Sequence, residues 1–271
     1  MLLCPVRDCH LALERGPADP SSGPRLFCPR GHSFDIARSG YINLLQPQDR
    51  RSKSPGDTAA AVAARRRLHE RGVTAPLLDA ISDALAPTPG DIVLDAGCGD
   101  GFYLGELARR TGFEAHGVDI SLPAIQAAAR SYPPKVCRCE WIVANADRFV
   151  PYAGRSFSAV LSITARMNTA EFRRVLKDDG RLLVALAAPD DFIELRRHVE
   201  GAAGRDRVDR TLETFAPDFT LLDRRRATTT ADLDADAVHD VLLSIYRPLR
   251  AQPATAMRVT FSLDLLLFRP S

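Results

Sequence analysis

Four residues near the start of the chain have the types and spacing to hold a metal. Cys4 and Cys9 form C-x4-C, and after an 18-residue gap Cys28 and His32 form C-x3-H. Two close pairs of thiolate and imidazole donors let two tight turns present a tetrahedral site to zinc. Four protein ligands fill that shell and leave no position for a catalytic water, so the expected ion is one structural Zn2+. His10 is a competing ligand by type. The first 40 residues are poor in apolar sequence, so such an ion would supply much of their folding free energy.

A second constellation is VLDAGCGDG, residues 93–101. Gly97, Gly99 and Gly101 permit a tight turn and close backbone approach to a ligand, while Asp95 and Asp100 bring carboxylates to the same loop. Asp119, in GVDIS, closes the next apolar run about 20 residues later, where a carboxylate can accept both ribose hydroxyls of a nucleoside. Asn145 ends a third run, WIVAN. The glycine spacing does not fit the G-x-G-x-x-G of nicotinamide-binding loops.

The elements that must position these groups are visible as apolar runs alternating with amphipathic stretches. IVLDAG, FYLGELARR, EAHGVDI, LPAIQAAARSY, WIVANA, FSAVLSI, AEFRRVLK and RLLVALAAP read as strands and helices in a βαβ order. That order implies an α/β fold, a doubly wound and mostly parallel sheet with helices on both faces. Its ligand site belongs at the carboxyl ends of the strands, near the switch in strand order. Upstream, SFDIARSGYINLL reads as a strand pair turning at Ser39-Gly40, and QPQDRRSKSPGD as a polar linker. DTAAAVAARRRLHERG reads as a helix capped by Asp57 or Thr58 and stopped by Gly72; Arg65, Arg66 and Arg67 span most of a turn, so at least one must face outward.

At 271 residues, 45% hydrophobic and 26% charged, the chain can bury a sizeable core and is neither disordered nor membrane-like in composition. No apolar run approaches the roughly 20 residues of a membrane span, and MLLCPVRDCHL turns polar too soon for a signal peptide, so a cytoplasmic protein is expected. Charge is uneven: residues 1–73 hold 12 Lys or Arg against 7 Asp or Glu, and the remainder 24 against 27. The basic end is the one expected to meet a polyanion. In a reducing compartment six cysteines do not imply three disulfides; Cys98, Cys137 and Cys139 read as small residues of a loop and a strand, and Trp141 as core.

D-x-G-x-G-x-G, the strand-terminal Asp119 and the polar end of the third strand resemble Class I S-adenosylmethionine-dependent methyltransferases. The resemblance implies a seven-stranded Rossmann-like sheet, with Asp95 and the 97–101 loop at the methionine end of the cofactor, Asp119 at the ribose and Asn145 at the adenine edge. CP..GHSFD.A..GY.NLL, the PGD linker, the AARRRLHERG helix and VLDAGCGDG together resemble the 23S rRNA guanine-N1 methyltransferases. That family includes the housekeeping RlmA enzymes and relatives that protect macrolide producers from their own antibiotic. The likeness extends to the tail IYRPLRAQP and the strand VTFSLDLLLF.

It implies a zinc-binding RNA-recognition module at 1–45, a linker and basic helix at 46–73, and a methyltransferase domain at 74–271. It also implies a domain II stem-loop of 23S rRNA as partner, no membrane, and pairing as a homodimer. Thr74 and Asp191 match family positions that contact the cofactor, where relatives carry an aromatic residue and a His; by type each is equally a helix cap. Further departures are C-x4-C in place of C-x2-C, and Thr164-Ala165-Arg166 where Ala-Pro is common. No base for the guanine N1 proton is legible, and SITARMN lacks a [DN]-P-P-[FY] motif. The competing expectations are a small-molecule methyltransferase, which needs no basic zinc module, and an RNA-binding protein that keeps the fold without turnover.

Overall fold

The computed structural model describes residues 1–16, 23–49, 52, 54–198, 207–245 and 254–271. Most of the tail IYRPLRAQP and linker residues 50, 51 and 53 lie outside them. The N-terminal module holds a small antiparallel sheet of β1 (Glu14–Arg15), β2 (Arg25–Phe27) and β3 (Ser33–Asp35). The chain turns at 37–41, where Gly40 N donates to Ala37 O and Ala37 N to Tyr41 O, and Ile36 bridges Ile42. β4 (Ile42–Asn43) then leaves the module and joins the large sheet.

α1 (Ala59–Glu70) and α2 (Ala75–Leu85) lead into β5 (Ile92–Ala96), α3 (Phe102–Thr111), β6 (Glu114–Asp119), α4 (Leu122–Ser131) and β7 (Cys139–Val143). β8 (Phe157–Ile163), α5 (Thr169–Val175), β9 (Leu176–Ala187), α6 (Arg207–Phe215), β10 (Phe219–Leu233), α7 (Ala235–Ser244) and β11 (Met257–Pro270) complete the fold. The sheet order is β10-β11-β9-β8-β5-β6-β7-β4. β4 to β9 run parallel, while β11 is antiparallel to β9 and β10 to β11. The order reverses at β5, between β6 and β8, which fixes the ligand crevice at their carboxyl ends.

Eight strands stand where the family likeness implied seven. The extra one is β4, whose Ile42 and Asn43 pair in parallel with Ile142 and Val143. The alternation of GYINLL explains it: Ile42 and Leu44 are buried while Asn43 is exposed, so the segment has one face to hide and an open edge of β7 to pair with. It is therefore a strand of the catalytic sheet as well as the end of the zinc module.

Successive strand residues send their side chains to opposite faces, and each face has its own core. Val93 belongs with Leu77, Leu104, Ile125 and Val241, the residues of α2, α3, α4 and α7. Leu94 belongs with Phe172 and Phe215 of α5 and α6, and with Cys4, Phe34 and Ile42 of the module. Residues 144–156 carry β7 to β8 without a helix. The module lies against that connection instead: Leu2 bridges Tyr152, and Leu3 N donates to Pro151 O at 2.9 Å.

At one residue the structure chooses between two expected caps, and at a pair of others it changes an expectation. Thr58, not Asp57, caps α1, its Oγ1 accepting from Ala61 N, because Asp57 is drawn into an ion pair with Arg65 at 2.7 Å. Cys137 and Cys139 are joined to each other by a disulfide rather than standing as separate thiols; Cys139 opens β7 and Cys137 lies in the turn before it, which brings the two side chains together. Trp141 is core, 2% exposed.

Candidate functional site

The metal constellation converges. Cys4 Sγ lies 3.4 Å from His32 Nδ1, Cys28 Sγ 3.3 Å from the same nitrogen, and Cys9 Sγ 3.7 Å from Cys28 Sγ. All four donor atoms fall within 4.8 Å of one another. Zn–S and Zn–N bonds of about 2.3 and 2.0 Å give tetrahedron edges of roughly 3.5–3.8 Å, so the donor set fits one zinc ion. His10 takes no part; its ring stacks on Phe149 at 4.2 Å. The module's cysteines are buried, and their surroundings are the sheet core, so this is a closed structural site.

The glycine loop lies at the end of β5, over a cavity of about 1010 Å³. Thr74, Asp95, Gly97, Gly99 and Asp100 line it, as do Asp119, Asn145 and Asp191. Gly101 is the exception. It starts α3 at φ +74 with its α-carbon against Trp141, where a Cβ would come within 2.5 Å of the indole, so this glycine lets the helix close onto the sheet. Gly97, at φ +92, faces across the crevice, and a Cβ there would meet Ala165 at 2.4 Å.

The walls are acidic and largely buried. Asp95 is 2% exposed, its Oδ1 has no partner among the described residues, and burial together with Asp119 pushes its carboxyl up to about 8. Asp100, 4% exposed, is also raised by burial, against the pull of Arg65. Asp119 accepts Gly99 N at 2.9 Å and Ser121 N at 2.7 Å, one on each oxygen. A carboxylate has about four lone-pair positions, so both oxygens can still accept a hydroxyl. Asp191 is no helix cap: its Oδ1 accepts Ser262 N at 2.9 Å, and burial beside Asp190 and Glu194 pushes it up to about 7.

The linker forms one wall. Asn145 Nδ2 donates to Asp49 O at 3.1 Å, Arg148 pairs with Asp49, and Ser121 Oγ donates to Asp57 O at 2.8 Å. Its own loop takes Asn145 Oδ1, which accepts Asp147 N. α1 forms the next wall and is tied to α7 by Arg67–Asp240 and Arg71–Asp234. Its basic residues therefore brace the fold, and the exposed cations of the module are Arg7, Arg15, Arg30 and Arg38.

A further wall is built by 164–166 with Ala188, Pro189, Asp191 and Phe192. Thr164 and Phe192 both adopt φ +50, a left-handed conformation that costs a side-chain-bearing residue energy and recurs at functional sites. Thr74 stands at the start of α2 without capping it, because its Oγ1 lies 2.7 Å from His69 Nδ1. Asp57, Arg65, His69 and Tyr103 are among the lining residues that the sequence did not mark as site groups. The available signal was the i,i+4 spacing of Arg65 and His69, which puts both on one helix face.

A buried, unpaired carboxylate beside a glycine loop fits the cationic methionine end of S-adenosylmethionine, and Asp119 is available to a ribose diol. Fold and sites together define an S-adenosylmethionine-dependent methyltransferase carrying a zinc ribbon. Residues 93–183 match the family described as a methyltransferase domain, and residues 2–53 the zinc-ribbon family described as RlmA, N-terminal. A Streptomyces fradiae protein named 23S rRNA (guanine(748)-N(1))-methyltransferase is 35% identical over 230 residues, 82% of this chain and 79% of that protein. Bacillus subtilis (strain 168) YxjB, provisionally named a 23S rRNA (guanine-N(1)-)-methyltransferase, is 33% identical over 257 residues, covering 89% and 84%. A solved chain from a complex containing the Haloferax volcanii Trm112 methyltransferase activator shares the fold at 19% identity and TM-score 0.53, over 80% of this chain and 99% of that one. The chain belongs to the family of 23S rRNA guanine-N1 methyltransferases.

Proposed function

We propose that this protein transfers a methyl group to N1 of a guanine in a domain II stem-loop of 23S rRNA. The observation that carries the proposal is the joining of two parts: a zinc module with exposed arginines contributes a strand to the sheet whose crevice forms the cofactor cavity. A small-molecule methyltransferase needs the cavity and has no use for the module.

In this proposal Asp95 and the loop Gly97–Asp100 hold the methionine end of the cofactor, with Thr74 and Asp191 beside it, Asp119 the ribose and Asn145 the adenine edge. The cofactor supplies an electrophilic methyl on a sulfonium. Guanine N1 carries a proton at neutral pH and is a poor nucleophile until that proton leaves, so the protein must orient the base and accept the proton or polarise the bond. Residues 164–166, with Ala188, Pro189 and Phe192, face the space left for the base. Single-stranded loop bases are already unstacked and enter such a pocket at low cost, while Arg7, Arg30 and Arg38 of the module follow the phosphates.

The test is methylation of 23S rRNA from cells lacking the modification, read by primer extension, which stops at an N1-methylated guanine. A new stop in a domain II hairpin is expected. Efficient labelling of a small metabolite with none of rRNA would overturn the proposal.

A further inference from the structure

α1 places two nitrogen-bearing side chains on the wall of the cofactor cavity that the family's site residues leave unassigned. Arg65 has a side chain 27% exposed, pairs with Asp57 at 2.7 Å and donates to Ser244 O at 3.3 Å. Its guanidinium lies over the glycine loop, since a Cβ on Gly99 would meet Nη1 at 3.4 Å. One turn on, His69 has a side chain only 6% exposed, stacked face to face on Phe102 at 3.8 Å.

His69 Nδ1 is used by Thr74 Oγ1, whereas the buried Nε2 has no hydrogen-bond partner among the described residues. Asp100 Oδ1 stands 3.9 Å from that nitrogen, too far for a hydrogen bond and close enough to favour the tautomer with its hydrogen on Nε2. Burial, with Arg65 and Arg66 nearby, pushes the imidazole down to about 3, so it is a neutral donor. A buried N–H without an acceptor costs free energy unless a ligand supplies one.

We infer that His69 Nε2–H and the Arg65 guanidinium form the receptor for the α-carboxylate of the cofactor's methionine moiety, letting an anion settle against an otherwise acidic wall. The inference rests on the cofactor reading of the cavity. S-adenosylmethionine carries one anionic group, and Asp57, Asp95, Asp100 and Asp119 would repel it without these donors. Asp95 is left to the α-ammonium, so the two ends of the amino acid are read by opposite walls.

Calorimetric titration with two probes separates the possibilities. S-adenosylhomocysteine carries the carboxylate, and 5′-methylthioadenosine has the same nucleoside and thioether without it. His69→Leu is expected to weaken S-adenosylhomocysteine about 10- to 100-fold, the worth of a hydrogen bond to a charged group, and to leave methylthioadenosine unchanged. His69→Gln, whose amide N–H reaches to a similar distance, should restore most of the loss, and Arg65→Gln should show the same one-sided weakening. Unchanged S-adenosylhomocysteine affinity, or equal weakening of both probes, overturns the assignment. If the unsubstituted protein binds neither probe, the cofactor reading of the cavity falls with it.

Discussion

The zinc cluster and the cofactor cavity are both places where polar groups are buried, and they resolve that cost in opposite ways. Around Cys4, Cys9, Cys28 and His32 the donors converge on one point, within 4.8 Å of each other, so a single ion satisfies all of them. Around the cavity the carboxylates are spread over about 1010 Å³, and Asp95 Oδ1 remains unsatisfied. The first arrangement is closed and holds the chain together. The second stays open, and its buried, unpartnered carboxyl is the group that a cationic ligand is expected to ionise.

The largest effect should come from the metal side. Cys28→Ser or chelation removes much of a binding free energy that for structural zinc is of order 10 kcal/mol, and elemental analysis of the unsubstituted protein should give about one zinc per chain. A module independent of the rest would lose RNA binding and spare the cofactor. Because its core is continuous with the sheet and the linker walls the cavity, thermal unfolding of the whole chain and S-adenosylhomocysteine binding should both suffer. Retention of full cofactor affinity after zinc loss would sever the two regions.

Next in size is Asp95→Asn. It should weaken cofactor binding about 10- to 100-fold by removing a charge-assisted hydrogen bond. The ligand-free protein should become more stable in thermal unfolding at pH 7, because the folded state no longer has to protonate a carboxyl that the unfolded chain keeps ionised. A variant weaker in both respects would show Asp95 to be structural, like the zinc ligands.

A pH effect should follow from the same residue. Folded Asp95 keeps its proton up to about pH 8, and the unfolded chain releases it near 4, so between these limits the folded state binds more protons and ligand-free stability falls as pH rises. A cationic ligand favours the ionised form. Cofactor affinity should therefore climb from pH 6.5 and level off above 8, with proton release visible in calorimetry across buffers of different ionisation enthalpy. A flat profile would remove Asp95 from contact with the ligand's charge. The smallest effect is expected from Cys139→Ser, which opens a very short covalent loop worth about 1–2 kcal/mol and should leave both sites working in zinc and cofactor assays.

The strands, helices and glycine loop were legible because their periodicity is local: VLDAG and GVDIS state their own conformation. The metal ligands were legible for a different reason, since few pairings of Cys and His at these spacings do anything else. What sequence could not show was supplied by residues distant in the chain. β4 is a strand only because Ile142 and Val143 offer an edge a hundred positions later. Thr74 was by type as much a cap as a contact and is held by His69, and nothing local to α1 showed that Arg65 would meet Ser244 of α7 and the glycine loop. Of the two cap candidates the sequence offered, Thr58 fills the helix start and Asp57 pairs with Arg65.

The pairing of β4 with β7, and of Leu2 with Tyr152, sets an order of events on the ribosome. At about 5–20 residues per second, the partners of the first 45 residues emerge roughly 5–30 s after them. Through that interval Ile42, Leu44 and the module's inner face have no large sheet to cover, and the zinc site joins the module's own small sheet in holding them. A part of the chain made early is thus among the last to be completed, and zinc bound early would leave it less time as an unpaired edge.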